Sequence, residues 1–284
     1  MFALLVQISS ESEPQATGLV AVLLLAVIQG LAEFLPISSS GHLVLGRAAL
    51  GVKSAGLSLD VALHLGTLAA VVYAYRRDVR ELLAEVLRGD FRMATWLVVA
   101  TIPIGAVGIG VKDMIAEAAE SPRFAAGGLL LTAVFLLLGE SRRPRPSPEQ
   151  DSQSADGPYW GEVRWIDAVL LGLAQTIAIL PGVSRSGTTI SAAFLRGIPA
   201  VQAARLSFLM SIPAVSGAAI VELPHVLRDG IGDISHWNIL AAVLTAALVG
   251  WAALRTLVLV LSKGAFRYFA GYCALLGALA LALL

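Results

Sequence analysis

Two stretches read alike: AVIQGLAEFLPISSSG, from Ala26 to Gly41, and GLAQTIAILPGVSRSG, from Gly172 to Gly187. Each is an apolar run that halts at a proline, Pro36 or Pro181, and resumes after a Ser/Gly cluster. Proline has no amide donor and restricts the residue before it, so a helix ends or bends there. Gln29 and Gln175 share the offset that relates Ser38-Ser39-Ser40-Gly41 to Ser184-Arg185-Ser186-Gly187, with the proline displaced by one. The pieces on either side, 20–35 then 41–50 and 165–180 then 187–198, are individually short. A helix rises about 1.5 Å per residue and needs about 20 residues to cross a hydrocarbon core about 30 Å thick. Broken segments of this kind read as re-entrant helix pairs, permitted only where protein or a water-filled cavity shields the open backbone.

Outward from these breaks lie six longer apolar stretches, at about 58–75, 94–111, 124–139, 203–222, 237–261 and 266–284. The chain has 284 residues, 57% hydrophobic and 14% charged, with a mean hydropathy of +0.80. Soluble domains carry about 25% charged residues, so this surface requires lipid. Three stretches follow each broken pair. The expected fold is therefore an all-α polytopic membrane protein, an inverted-topology repeat of two re-entrant pairs and about six full transmembrane helices. Residues 1–19 read as a lead-in without a cleaved signal, 20–140 as the first repeat, 141–164 as a cytoplasmic linker and 165–284 as the second, inverted repeat. Arginines crowd 76–93 and 140–164, and Lys263 and Arg267 precede the last helix. These regions are expected to face the cytoplasm, with both termini outside. Zero formal net charge gives no reason to expect a nucleic-acid partner. The single cysteine, Cys273, excludes an internal disulfide. The Gly/Ala-rich helices 124–139 and 271–284 offer faces for a second copy, a homodimer, or for their own neighbours in the chain.

The polar residues inside this apolar chain need a reason to be there. Glu33 lies one helical turn after Gln29, on the same face. A carboxylate at mid-membrane is unfavourable by at least about 2.5 kcal/mol, so it is paired or functional. An ion pair with Arg185 is one account; metal binding or ordering of a catalytic group is the other. Ser38, Ser39, Ser40 and Gly41 open the second piece, where serines cap and exposed N–H groups bind phosphate oxygens. His42 follows them as a candidate proton acceptor; His64, early in the stretch 58–75, is a lesser candidate. In the second break Arg185 can grip two phosphate oxygens, with Ser184, Ser186, Gly187 and Thr189 completing a cradle. A P-loop pattern is absent, and so is any paired H-x-x-H.

With these motifs assembled, the sequence resembles the bacterial undecaprenyl-diphosphatase family from Leu19 to its C-terminus. QGLAEFLPISSSGHL, Gln29 to Leu43, and LPGVSRSGTT, Leu180 to Thr189, carry the resemblance, with SFLMSIP, Ser207 to Pro213, as a third segment. The resemblance implies hydrolysis of the terminal phosphate of undecaprenyl diphosphate, the step that bacitracin opposes. It implies regeneration of the lipid carrier of peptidoglycan synthesis, in the bacterial inner membrane, with a site open to the outer side. The family's (E/Q)-x-x-x-E element falls on Gln29 and Glu33, its serine and histidine on Ser39 and His42, and its arginine on Arg185. It also implies a divalent cation, Mg²⁺ or Ca²⁺, with Glu33 and Gln29 as protein ligands. Ser39 is the expected nucleophile with His42 as base; water attack with the same base stays open. The alternative function is a polyprenyl-phosphate transporter or flippase, because inverted repeats with broken helices are also a transporter design.

Overall fold

A computed structural model describes residues 18–52, 57–144, 163–229, 234–262, 264 and 266–284. Most of the lead-in 1–19 and of the linker 141–164 lies outside the described residues. Among the described residues all regular structure is helical.

Both breaks fold as their chemistry dictates. Helix α1, Leu19–Phe34, ends where Leu35 turns extended (ψ 142°) ahead of Pro36. Helix α2, Ser39–Leu50, starts on Ser38, whose side chain accepts the Gly41 N–H. In the second half the helix after the break starts the same way, with Ser184 accepting the Gly187 N–H. The serines act as N-caps, so both second pieces begin two residues earlier than the apolar pattern alone suggests.

The remaining helices of the first half are α3 (Leu57–Ala74), α4 (Arg76–Leu87), α5 (Arg92–Gly110), α6 (Lys112–Ala119) and α7 (Pro122–Ser141). Those of the second half are α8 (Trp165–Ile177), α9 (Arg185–Leu195), α10 (Ala200–Asp229), α11 (His236–Ser262) and α12 (Phe266–Leu283). Five of these, α5, α7, α10, α11 and α12, are long and apolar enough to cross a membrane. A sixth span is α3 with α4, which meet at a 78° bend. The arginine-rich stretch 76–93 between two apolar stretches is mostly the amphipathic helix α4. Its Val79 and Leu82 pack on the core, and its Asp78 pairs with Arg205 of α10 at 2.8 Å.

Helix packing exchanges the halves. The broken helix α1 lies along α11, and the broken helix α8 lies along α5. Small residues allow that closeness: a Cβ on Gly30 would meet Val249 Cβ at 2.8 Å, and one on Gly172 would meet the Ala100 carbonyl oxygen at 2.6 Å. Helices α2 and α9 both pack on α7, which brings the two breaks together, and α7 packs along α12. A Cβ on Gly277 of α12 would meet the Ala126 carbonyl oxygen of α7 at 2.8 Å. The small-residue faces of these two helices are thus used within the chain. Outside the core, Leu137, Leu138, Leu248 and Leu275 are among many large apolar side chains left exposed, as lipid contact requires.

Candidate active site

Both breaks are stitched to each other and to α7. The Ser40 Oγ accepts the Gly182 N–H at 3.3 Å, while the Ser186 Oγ donates to the Leu35 carbonyl at 3.3 Å. Thr132, buried in α7, accepts the Ser184 N–H at 2.9 Å and donates to the Gly182 carbonyl at 2.8 Å. Gly182 has φ +89°, and a Cβ there would collide with the Ala125 carbonyl oxygen of α7. Only glycine meets both demands at little cost. Ser38 holds φ +70°, the one positive φ outside glycine among the described residues. Such a conformation persists only where surroundings over-determine it. Here the Ser38 hydroxyl accepts the Gly41 N–H, and its carbonyl accepts His42 Nδ1–H at 2.7 Å.

This stitching puts residues from opposite halves on one carboxylate. Glu33, 8% exposed, presents Oε1 to Arg185 Nη2 at 2.5 Å. Its Oε2 accepts from Ser39 Oγ at 2.6 Å and from Gln29 Nε2 at 3.1 Å. His64 Nε2 stands 3.8 Å from the same Oε2. Arg185 also donates to the Ser207 carbonyl of α10 at 3.4 Å. Thr189 braces this arrangement, donating to the Arg185 carbonyl at 2.7 Å and bonding the Ser207 hydroxyl at 2.7 Å. A guanidinium carries five N–H donors, and these contacts occupy only part of the fork.

The cluster forms the polar wall of a cavity of about 410 Å³. Its other walls are mostly apolar, with Val61, Ile104, Ile115, Ile179 and Val215 among them. Such a space suits one anionic group with an apolar tail. Of the expected residues, Glu33, Ser39, Ser40, Ser184 and Arg185 line it. Ser38, Gly41, Ser186, Gly187, Thr189 and Gln29 stand behind as caps and supports, and all six are buried. His42 is not among the lining residues. Its Nδ1 is bound to the Ser38 carbonyl and its Nε2 lies 2.8 Å from the Tyr272 hydroxyl of α12, on which the ring stacks. His64 lines the cavity instead, together with Asp60 and Glu222. His64, Thr132, Ser207 and Tyr272 are site or support residues outside the two breaks; His64 carried a signal as a lesser candidate and Ser207 as the first residue of SFLMSIP, whereas Thr132 and Tyr272 carried none.

The donor set does not build a resident divalent-cation site. Among the described residues no three His, Cys, Asp or Glu side chains come together to hold an ion. Both Glu33 oxygens are engaged, one by a guanidinium, and Gln29 turns its N–H toward the carboxylate, leaving its Oε1 buried without a partner. Calcium takes 6–8 oxygen ligands, whereas magnesium is commonly held by one or two carboxylates plus substrate phosphates.

Three comparisons bear on this geometry. Residues 22–279 match the family model described as bacitracin resistance protein BacA. An undecaprenyl-diphosphatase from Halothermothrix orenii is 38% identical over 257 residues, 90% of this chain and 94% of that protein. An undecaprenyl-diphosphatase from Rubrobacter xylanophilus is 38% identical over 278 residues, 94% of this chain and 98% of that protein.

Proposed function

The chain belongs to the bacitracin resistance protein BacA family, and on that basis we propose that it is an undecaprenyl-diphosphate phosphatase. It is an enzyme of a multi-pass membrane protein family, and it hydrolyses undecaprenyl diphosphate to undecaprenyl phosphate and phosphate. That reaction returns the lipid carrier to peptidoglycan synthesis, and removing the diphosphate counters bacitracin. One observation carries the reading: Arg185 of one half and Ser39 of the other meet on Glu33 at the polar wall of a mostly apolar cavity.

The chemistry follows from that wall. Arg185 binds the terminal phosphate as a fork and stabilises charge that moves onto its oxygens in the transition state. Ser39 is the nucleophile, aimed by its bond to Glu33. Ser40 and Ser184, at the starts of α2 and α9, add hydroxyls beside helix N-termini, where anions are favoured. The isoprenoid lies against the apolar wall of α5 and α10. His42 holds the Ser38 turn from behind. With no resident ligand set among the described residues, a divalent ion would be carried in by the diphosphate and would supply charge neutralisation. The protein sits in the cytoplasmic membrane with this cavity toward the outer side.

The test is phosphate release from undecaprenyl diphosphate by the purified protein in detergent, where no second compartment exists for transport. Wild type is expected to release phosphate, and Ser39→Ala to release none while a quenched wild-type reaction carries label on Ser39. A wild type that binds the lipid without releasing phosphate would leave transport as the better reading.

A further inference from the structure

We propose that His64 is a catalytic residue of this site, the proton acceptor that activates Ser39. The proposal rests on the phosphatase reading and assigns it a base from outside both sequence breaks. Three observations place it. The ring lines the cavity. Its Nδ1 lies 2.8 Å from the Asp60 carbonyl oxygen, which can only accept, so Nδ1 carries the hydrogen and the neutral ring keeps its lone pair on Nε2. That Nε2 lies 3.8 Å from Glu33 Oε2, the same oxygen that accepts the Ser39 hydroxyl at 2.6 Å. Nucleophile and acceptor therefore flank one carboxylate oxygen: Glu33 holds Ser39 by a hydrogen bond, and the lone pair of His64 Nε2 stands beside it without one. A catalytic base and the hydroxyl it serves often come within hydrogen-bond distance only in the substrate complex.

The groups around the ring fit the role. Glu33 and Ser39 face it from α1 and α2, and Arg185 joins them from α9. Asp60, on its own helix, is paired with Arg47 of α2; Glu222 stands on the α10 wall of the same cavity. Thr67 donates to the His64 carbonyl at 3.0 Å, which fixes the backbone below the ring. His42 has no comparable freedom, because one ring nitrogen is bound to Ser38 and the other faces Tyr272.

In the first step Ser39 Oγ bonds to the terminal phosphorus and its proton passes to His64 Nε2. The bond from that phosphorus to the bridging oxygen breaks, and undecaprenyl phosphate leaves with the electron pair. In the second step water attacks the phosphoserine, and His64 returns its proton to Ser39 Oγ as the P–O bond breaks. Both protons of the water leave with the phosphate.

The experiment uses purified full-length protein in detergent with undecaprenyl diphosphate. His64→Ala is expected to lower kcat by about 10²–10⁴-fold, with KM changed less than about threefold. Added imidazole is expected to restore turnover, and across substituted imidazoles of similar size the restored rate is expected to rise with ring basicity. His64→Gln, which keeps volume and polarity, replaces the alanine variant if that one does not fold; the same kcat loss is expected. A kcat within about threefold of wild type in a folded variant would overturn the assignment. So would restoration that follows ring size and ignores basicity, since a merely structural cavity needs only filling. Failure of wild type to release phosphate would instead sink the phosphatase reading itself.

Discussion

Arg185 is the residue on which the proposed phosphate site rests. Its fork meets Glu33 at 2.5 Å and the Ser207 carbonyl at 3.4 Å, two directions that a single ammonium does not serve together. Arg185→Lys is expected to lower kcat/KM by about 10²–10³-fold, the scale of losing one preorganised donor at a developing oxyanion. Phosphate-release kinetics check this, and near-normal turnover would remove Arg185 from the phosphate site. The same crowding around Glu33 sets the metal expectation. A chelator should abolish turnover and added Mg²⁺ restore it, yet titration calorimetry on lipid-free protein should show no stoichiometric Mg²⁺ uptake, because no three acidic or histidine ligands converge among the described residues. Stoichiometric uptake without lipid would place the ion in the protein. Glu33 and Arg185 were legible in the sequence because charge inside an apolar run is too unfavourable to be idle. His42 was legible by adjacency alone, and adjacency misleads about where a ring points. Its partner Tyr272 comes from the last helix, and the partner of His64 comes from the first; such long-range meetings leave no local pattern.

At the scale of elements, the breaks hold because α7 offers them a groove with no room to spare. Gly128 and Gly182 meet there, and a Cβ on either would overlap backbone of the other's helix or turn. Gly182→Ala adds that overlap to a backbone at φ +89°. Overpacking of this kind destabilises by about 1–3 kcal/mol. The variant is expected to unfold at lower temperature in detergent, and to lose activity because Ser184 and Arg185 follow the turn directly. A melting temperature and turnover equal to wild type would show that the tip does not depend on α7. The helix list was largely legible: proline, serine caps and apolar length mark α1, α2, α8 and α9 and the six long stretches. The bend at Tyr75 was not, because α4 is too polar for a span and its apolar side, Val79 and Leu82, is recognisable only against the core it meets.

For the whole molecule, the exchange of halves decides which side the cavity serves. Helix α5 runs from Arg92, beside the arginines of α4, to Gly110 at the opposite end. The cavity is lined by Ile104 from the far part of α5, by Ile115 of α6 and by Glu222 near the end of α10. It therefore lies away from the arginine-rich turn and toward the face where α6 connects α5 to α7. Basic residues favour the cytoplasmic face, and the orientation proposed on that ground has the cavity outside. On the side of the arginines the charges are paired across helices, Asp78 with Arg205 at 2.8 Å and Asp167 with Arg196 at 2.7 Å. Single cysteines in a Cys273→Ser background test the orientation in intact cells. Glu120→Cys is expected to react with a membrane-impermeant thiol reagent, and Arg88→Cys to react only after the cells are opened. Reaction of Arg88→Cys alone in intact cells would turn the molecule over, and the enzyme would then draw its diphosphate from the cytoplasmic leaflet.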